Sequence, residues 1–151
     1  MSPSDVTNPT TTSLPRMAKS IPDGESILLR TDFSDDAAWA ELLTAVQNSY
    51  LADSATGLTP VDDRAFDGVT LDDLPALVGD RTYLFLADAT TMTEPEHPIL
   101  AVDTTDDDFE TFRLAPSAMG AVEVNLWLAN MDFADFAESV DEDGIYRGFG
   151  E

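Results

Sequence analysis

The stretch VEVNLWLANMDFADFAESVDEDGIYRGF, from Val122 to Phe149, places the tightest constraint on what this chain folds into. Its first apolar residues, Val122, Val124, Leu126 and Leu128, stand two apart, the spacing of a strand with one covered face. A helix over the same residues is the alternative. After Asn130-Met131-Asp132 the spacing becomes three and four, so Phe133, Phe136, Ala137 and Val140 share one side of a helix. Asp132 is its expected N-cap, with Asp135 in the first turn against the positive end of the dipole. Gly144 closes the unit, and Ile145, Tyr146 and Phe149 return apolar weight to the body. A segment this aromatic cannot bury itself, so it requires a sheet beside it.

The upstream pattern supplies that sheet. Ile27-Leu28-Leu29-Arg30-Thr31 reads as a buried strand, and Ser34 or Asp35 caps a helix running to about Gln47. Ala38, Trp39, Leu42, Leu43 and Val46 form that helix's apolar stripe, which makes Trp39 a core residue rather than a ligand platform. Val61–Phe66 reads as a weak strand, placed at an edge by Asp62-Asp63. Thr70 caps a short second helix, with Asp72-Asp73 in its first turn, Pro75 limiting it and Gly79 ending it. Tyr83–Ala87, Ile99–Val102 and Phe109–Leu114 are strands whose short connections suit antiparallel neighbours, the last following an Asp106-Asp107-Asp108 turn. The expectation is an α/β (α+β) fold: one mixed, mostly antiparallel sheet of about five strands under roughly three to four helices. Residues 1–25, rich in Pro, Ser and Thr, read as a disordered leader, and 26–151 as a single domain.

Charge narrows the classes of partner. Thirty acidic residues face seven basic ones, a net charge of −23. Binding phosphates needs Lys and Arg to displace counterions, so nucleic acid and anionic lipid are excluded as partners. A field of this sign favours a basic protein. Without cysteine there is no disulfide, thiolate ligand or thiol nucleophile. No run of 18 apolar residues and no secretory signal is present, so the expected location is cytoplasmic.

No catalytic template is complete. The eight glycines form no phosphate-binding string, and no G-x-S-x-G elbow occurs. The single histidine, His97, lies between Glu96 and Pro98 and reads as an exposed loop residue. Asp88 and Asp103 each follow an apolar strand, where α/β sheets place functional side chains. The plainer reading has such an acid capping the strand end or pairing with Arg30 or Arg113. Aligning Gly144 with the glycine of a calcium loop puts Asp141 and Asp143 at ligand positions, but Ser139 and Gly150 fall where carboxylates are required. No catalytic residue, metal ligand or cofactor is therefore expected.

Three stretches, LLRTDFSDDAAW (Leu28–Trp39), LADATTMTEPEHPILAVD (Leu86–Asp103) and NLWLANMDFADFAESVDEDGIYRGF (Asn125–Phe149), give the chain a resemblance to a known family. It is similar to a family of small acidic bacterial proteins, chiefly actinobacterial, classed as the domain of unknown function numbered 6924. The resemblance implies no activity, cofactor or catalytic residue. The functional expectation is a non-enzymatic acidic binding protein, an immunity- or inhibitor-like partner of a basic protein. Its candidate contacts are Asp62, Asp63, Asp106, Asp107, Asp108, Asp141, Glu142 and Asp143. Two alternatives stand beside it. One is a carboxylate- or metal-dependent hydrolase drawing on Asp88, Asp103, Asp132 and His97. The other is a charge that reflects only the composition habit of the source organism.

Overall fold

The computed structural model describes residues 21–22, 26–50, 58–79, 81–105, 109–127 and 132–147. Most of the expected leader and the Asp106–Asp108 cluster lie outside the described residues. Ile21, ahead of the expected domain start, is buried against the sheet, and the Pro22 carbonyl accepts from Arg81 Nη2 at 2.7 Å.

Among the described residues six strands form one sheet: β1 (Ser26–Arg30), β2 (Leu58–Val61), β3 (Tyr83–Ala87), β4 (Ile99–Asp103), β5 (Thr111–Leu114) and β6 (Ile145–Tyr146). Their spatial order is β2-β1-β3-β4-β5-β6. β3, β4 and β5 pair antiparallel in the middle; β2-β1, β1-β3 and β5-β6 pair parallel. The mixed α/β class is as the pattern predicts, and β2 takes the edge position assigned to it. The strand lies earlier than expected, however. Asp63 turns the chain at its end by accepting from Ala65 N at 2.9 Å, which starts a 3-10 turn at Arg64–Phe66.

Two apolar clusters cover the two faces of the sheet. On the first face, helix α1 (Asp36–Asn48) lays down Ala38, Trp39, Leu42 and Val46, so Trp39 is core. Asp35 is its cap, accepting from Ala38 N at 3.0 Å. The same face carries α3 (Met119–Trp127) and α4 (Phe133–Ala137). Phe112, Phe133, Phe136 and Tyr146 interlock there, with ring centroids 4.9–6.4 Å apart. The second face is covered by Ile21, Phe66, Val69, Leu74 and Val78 from short turns. One of these is the 3-10 helix Leu71–Ala76, with Thr70 at the expected N-cap and its N–H donating to Asp73 Oδ2 at 2.9 Å. Pro75 offers no N–H, and the segment stays 3-10 rather than becoming an α-helix.

Residues 119–127 are the helix α3, not the strand that alternation suggests. Met119 and Val122 bury themselves at helical spacing, while Val124 and Leu126 are only half-buried. Period two arose because the helix is apolar on several sides. A second correction is α2 (Ala89–Thr93), which occupies part of the expected loop before β4. Its D-x-x-T signature is reciprocal: Thr91 N donates to Asp88 Oδ1 at 3.1 Å, and Asp88 N donates to Thr91 Oγ1 at 3.2 Å.

Gly120 is where α3 docks on the end of α1. Its N–H donates to Ser49 Oγ at 2.9 Å, and a Cβ built there would sit 2.5 Å from the Ser49 carbonyl oxygen. Gly120→Ala is expected to lower unfolding stability by about 1–3 kcal/mol despite alanine's better helix propensity. Urea denaturation of the two proteins measures it; a neutral or stabilising result would mean that α3 does not approach α1 this closely.

Candidate functional site

β1 is buried along its whole length, polar ends included. A buried polar group needs partners, and each end of the strand has a set of them. At the start, Ser26 Oγ donates to Glu123 Oε2 at 2.8 Å and lies 2.7 Å from the Tyr83 hydroxyl, while Tyr50 OH donates to Glu123 Oε1 at 2.8 Å. Glu123, a buried acid on α3, thus ties the helix to the sheet through hydroxyls. At the other end Arg30, 2% exposed, donates to the Asp32 carbonyl, Asp62 and Asp36 at 3.0, 3.2 and 2.8 Å. Its guanidinium also lies over Phe33 (4.4 Å) and Trp39 (5.3 Å). That bond to Arg30 holds the Asp36 carboxyl below the usual carboxylate range.

A groove of about 1120 Å³ runs beside the ends of β1 and β3 and over the sheet's second face. Val69, Leu71, Leu86 and Leu100 give it apolar lining, and Asp32, Asp67, Asp88 and Asp143 bring carboxylates to it, against Arg64 and Arg113. One wall is fixed to β1 by Gly68 N–H donating to the Thr31 carbonyl at 2.8 Å. Gly68 needs its φ of 82° for that turn. Asp88 takes the plainer of its two expected roles, a bidentate pair with Arg113 at 2.8 and 3.0 Å. Partial burial pushes the Asp88 carboxyl up, but Arg113 and Thr91 outweigh it and hold the group below its ordinary value.

At the opposite end of the sheet a smaller hollow of about 420 Å³ is lined by Asp103, Glu110 and Asp132 with Tyr83, Leu126 and Phe133. Among the described residues no basic one lines it. Asp103 and Asp132 therefore share a concave site, yet among the described contacts no hydrogen bond joins them. Asp103 Oδ1 accepts from Thr105, and Asp132 belongs to the capping box of α4.

His97 departs from expectation. Its side chain is 14% exposed, with Nδ1 2.9 Å from the Thr91 carbonyl and Nε2 3.1 Å from Glu41 Oε1. It braces the loop before β4 against α1, and no described hydrogen bond joins it to Asp88, Asp103 or Asp132. The hydrolase candidates thus fall into three separate places.

Four of the eight predicted contact acids already have work within the fold, and Asp106, Asp107 and Asp108 lie outside the described residues. Asp62 holds Arg30, and Asp63 caps the 3-10 turn. Asp141 and Asp143 accept from Arg147 at 2.6 and 2.7 Å, and Glu96 accepts from the same guanidinium at 2.6 Å. Where a calcium loop would put its ion, an arginine supplies the positive charge. Hydrogen bonds from Arg147 hold the Asp143 and Glu96 carboxyls below their ordinary values. Glu142 is exposed. Among the described residues no group of three or more His, Asp or Glu is placed to hold a metal ion.

The family model spans residues 25–149 and so takes in the whole six-stranded sheet and its helices. The chain belongs to the family described as a domain of unknown function (DUF6924). No curated protein matches it. For this DUF6924 member the groove and the hollow were not legible as sites: their residues come from five or more segments, and only the strand-end position of Asp88 and Asp103 pointed toward them. No described helix is long and apolar enough to cross a membrane.

The Asp88–Arg113 pair makes stability depend on pH. The folded Asp88 value lies below the unfolded value of about 3.9, so its stabilisation is present above that pH and disappears as pH falls through the folded value. Arg113→Met is expected to cost about 1 kcal/mol at pH 7, discounted for partial exposure, and to flatten the loss of stability below about pH 4. Denaturation midpoints across pH check this; parallel acid limbs for the two proteins would contradict it.

Proposed function

We propose that this protein is a non-enzymatic acidic binding protein whose partner is a basic protein, in the manner of an immunity or inhibitor-like protein acting in the cytoplasm. The observation that carries the reading is how the chain uses its few cations. Arg30, Arg113 and Arg147 are bound by Asp36, Asp62, Asp88, Asp141, Asp143 and Glu96; Arg81 bonds the Pro22 carbonyl; Arg64 lies over Phe33 at 5.2 Å. Thirty acidic residues against seven basic ones leave a large excess of carboxylate however the cations are placed. A charge of −23 concentrated this way raises encounter rates with a positive surface and repels acidic competitors.

The hollow lined by Asp103, Glu110 and Asp132 supports the same reading, since a lysine or arginine of a partner would supply the charge it lacks. With the immobilised protein offered a panel of purified basic proteins, association is expected to slow at least about tenfold between roughly 50 and 500 mM salt. The triple variant Asp103→Asn, Glu110→Gln, Asp132→Asn is expected to slow it further at low salt. Association indifferent to both salt and these charges, or none at all, would refute the proposal and favour charge as a matter of composition.

A further inference from the structure

The second face of the sheet is covered unevenly. Register places Val61, Leu29, Leu86, Leu100, Arg113 and Ile145 side by side across all six strands. Along that row burial declines. Leu29 is fully buried and Leu86 2% exposed, whereas Leu100, Arg113 and Ile145 are half-buried. Phe66, Val69 and Leu74 close the face over β1 and β3, and the groove begins where their cover stops. The wall on that side ends in Leu71, which at 38% is the exposed large apolar side chain among the described residues. Leu71 borders the groove's apolar floor, so the two make a contiguous apolar surface.

We infer that this groove is the docking site for the basic partner, and that it takes a segment presenting apolar side chains between cationic ones. The inference rests on the basic-partner reading and gives it a place. The apolar floor and Leu71 supply the contact that desolvation rewards. Charge complementarity selects the occupant: once Arg113 is set against Asp88 and Arg147 against Asp143, the carboxylates of Asp32 and Asp67 face the groove against Arg64. A second copy of this acidic chain would meet the same sign of charge and is disfavoured. The Asp143 side of the groove is held by Arg147, so that border is set before a partner arrives.

The test uses the full chain and a synthetic pentapeptide, Lys-Leu-Lys-Leu-Lys, as probe, with binding measured by calorimetry and contacts mapped by carbodiimide coupling of its amines to carboxylates. Amide links at Asp32 or Asp67 are expected. Leu71→Ser and Asp67→Asn should each weaken binding at least about fivefold, with Glu138→Gln, on the α4 side, unchanged. Salt-sensitive binding indifferent to both groove variants, with links at Glu110 or Asp132, would overturn the inference while leaving the basic-partner reading standing. Coupling of Lys19, the chain's single lysine, to the groove acids without peptide would overturn it in favour of the protein's own N-terminal segment as occupant. Absence of any salt-sensitive binding would remove both.

Discussion

The burial of β1 on both faces is the constraint from which the remaining features follow. Leu28 and Phe85 face one apolar cluster, Leu29 and Leu86 the other, and the parallel pairing of β1 with β3 locks both rows in register. A strand enclosed this way cannot leave a polar residue unsatisfied at either end. Ser26 and Arg30 are those residues, and each has recruited a network from distant segments. Glu123 is brought in by α3, and Asp36 and Asp62 by the ends of α1 and β2. The networks therefore fix where the helices sit, which in turn leaves part of the second face uncovered.

Electrostatics divides the acids into two populations. One has structural work: Asp35, Asp63 and Asp88 cap helical turns, and Asp36, Asp62, Asp141, Asp143 and Glu96 surround arginines. The other, with Asp103, Glu110 and Asp132 among its members, borders concave surface and holds no arginine among the described contacts, though Asp132 also caps α4. The distinction matters because a carboxylate already holding an arginine contributes little to a partner. Clusters conspicuous in the chain, such as Asp141-Glu142-Asp143, are thus less available than isolated acids at the rims of the groove and hollow.

Local signals were legible where a single segment carried them. Asp35, Thr70 and Asp132 cap where their spacing says, Trp39 lies in its helical stripe, and Tyr83–Ala87 is a central strand. Misreading arose where tertiary context chose between periods. Val122, Val124 and Leu126 satisfy a strand and an all-round apolar helix equally, and the close approach of Gly120 to Ser49 belongs to the helix. His97 looked exposed because Thr91 and Glu41, which hold it, lie on other elements. The expectation that Val122–Phe149 organises the chain also shifts. That segment covers a sheet whose centre, β1 and β3, is built earlier in the sequence.

Backbone hydrogen exchange tests the half-covered sheet most directly, since exchange reports how far each strand is protected by what lies above it. The amides of Leu28, Leu29, Phe85 and Leu86 are predicted to exchange only through global unfolding. Those of Phe112 and Leu114 in β5 should exchange faster, through local opening beneath the uncovered face. Protection in β5 equal to that in β1 and β3 would mean that the second face is closed throughout, and the groove would cease to be a site.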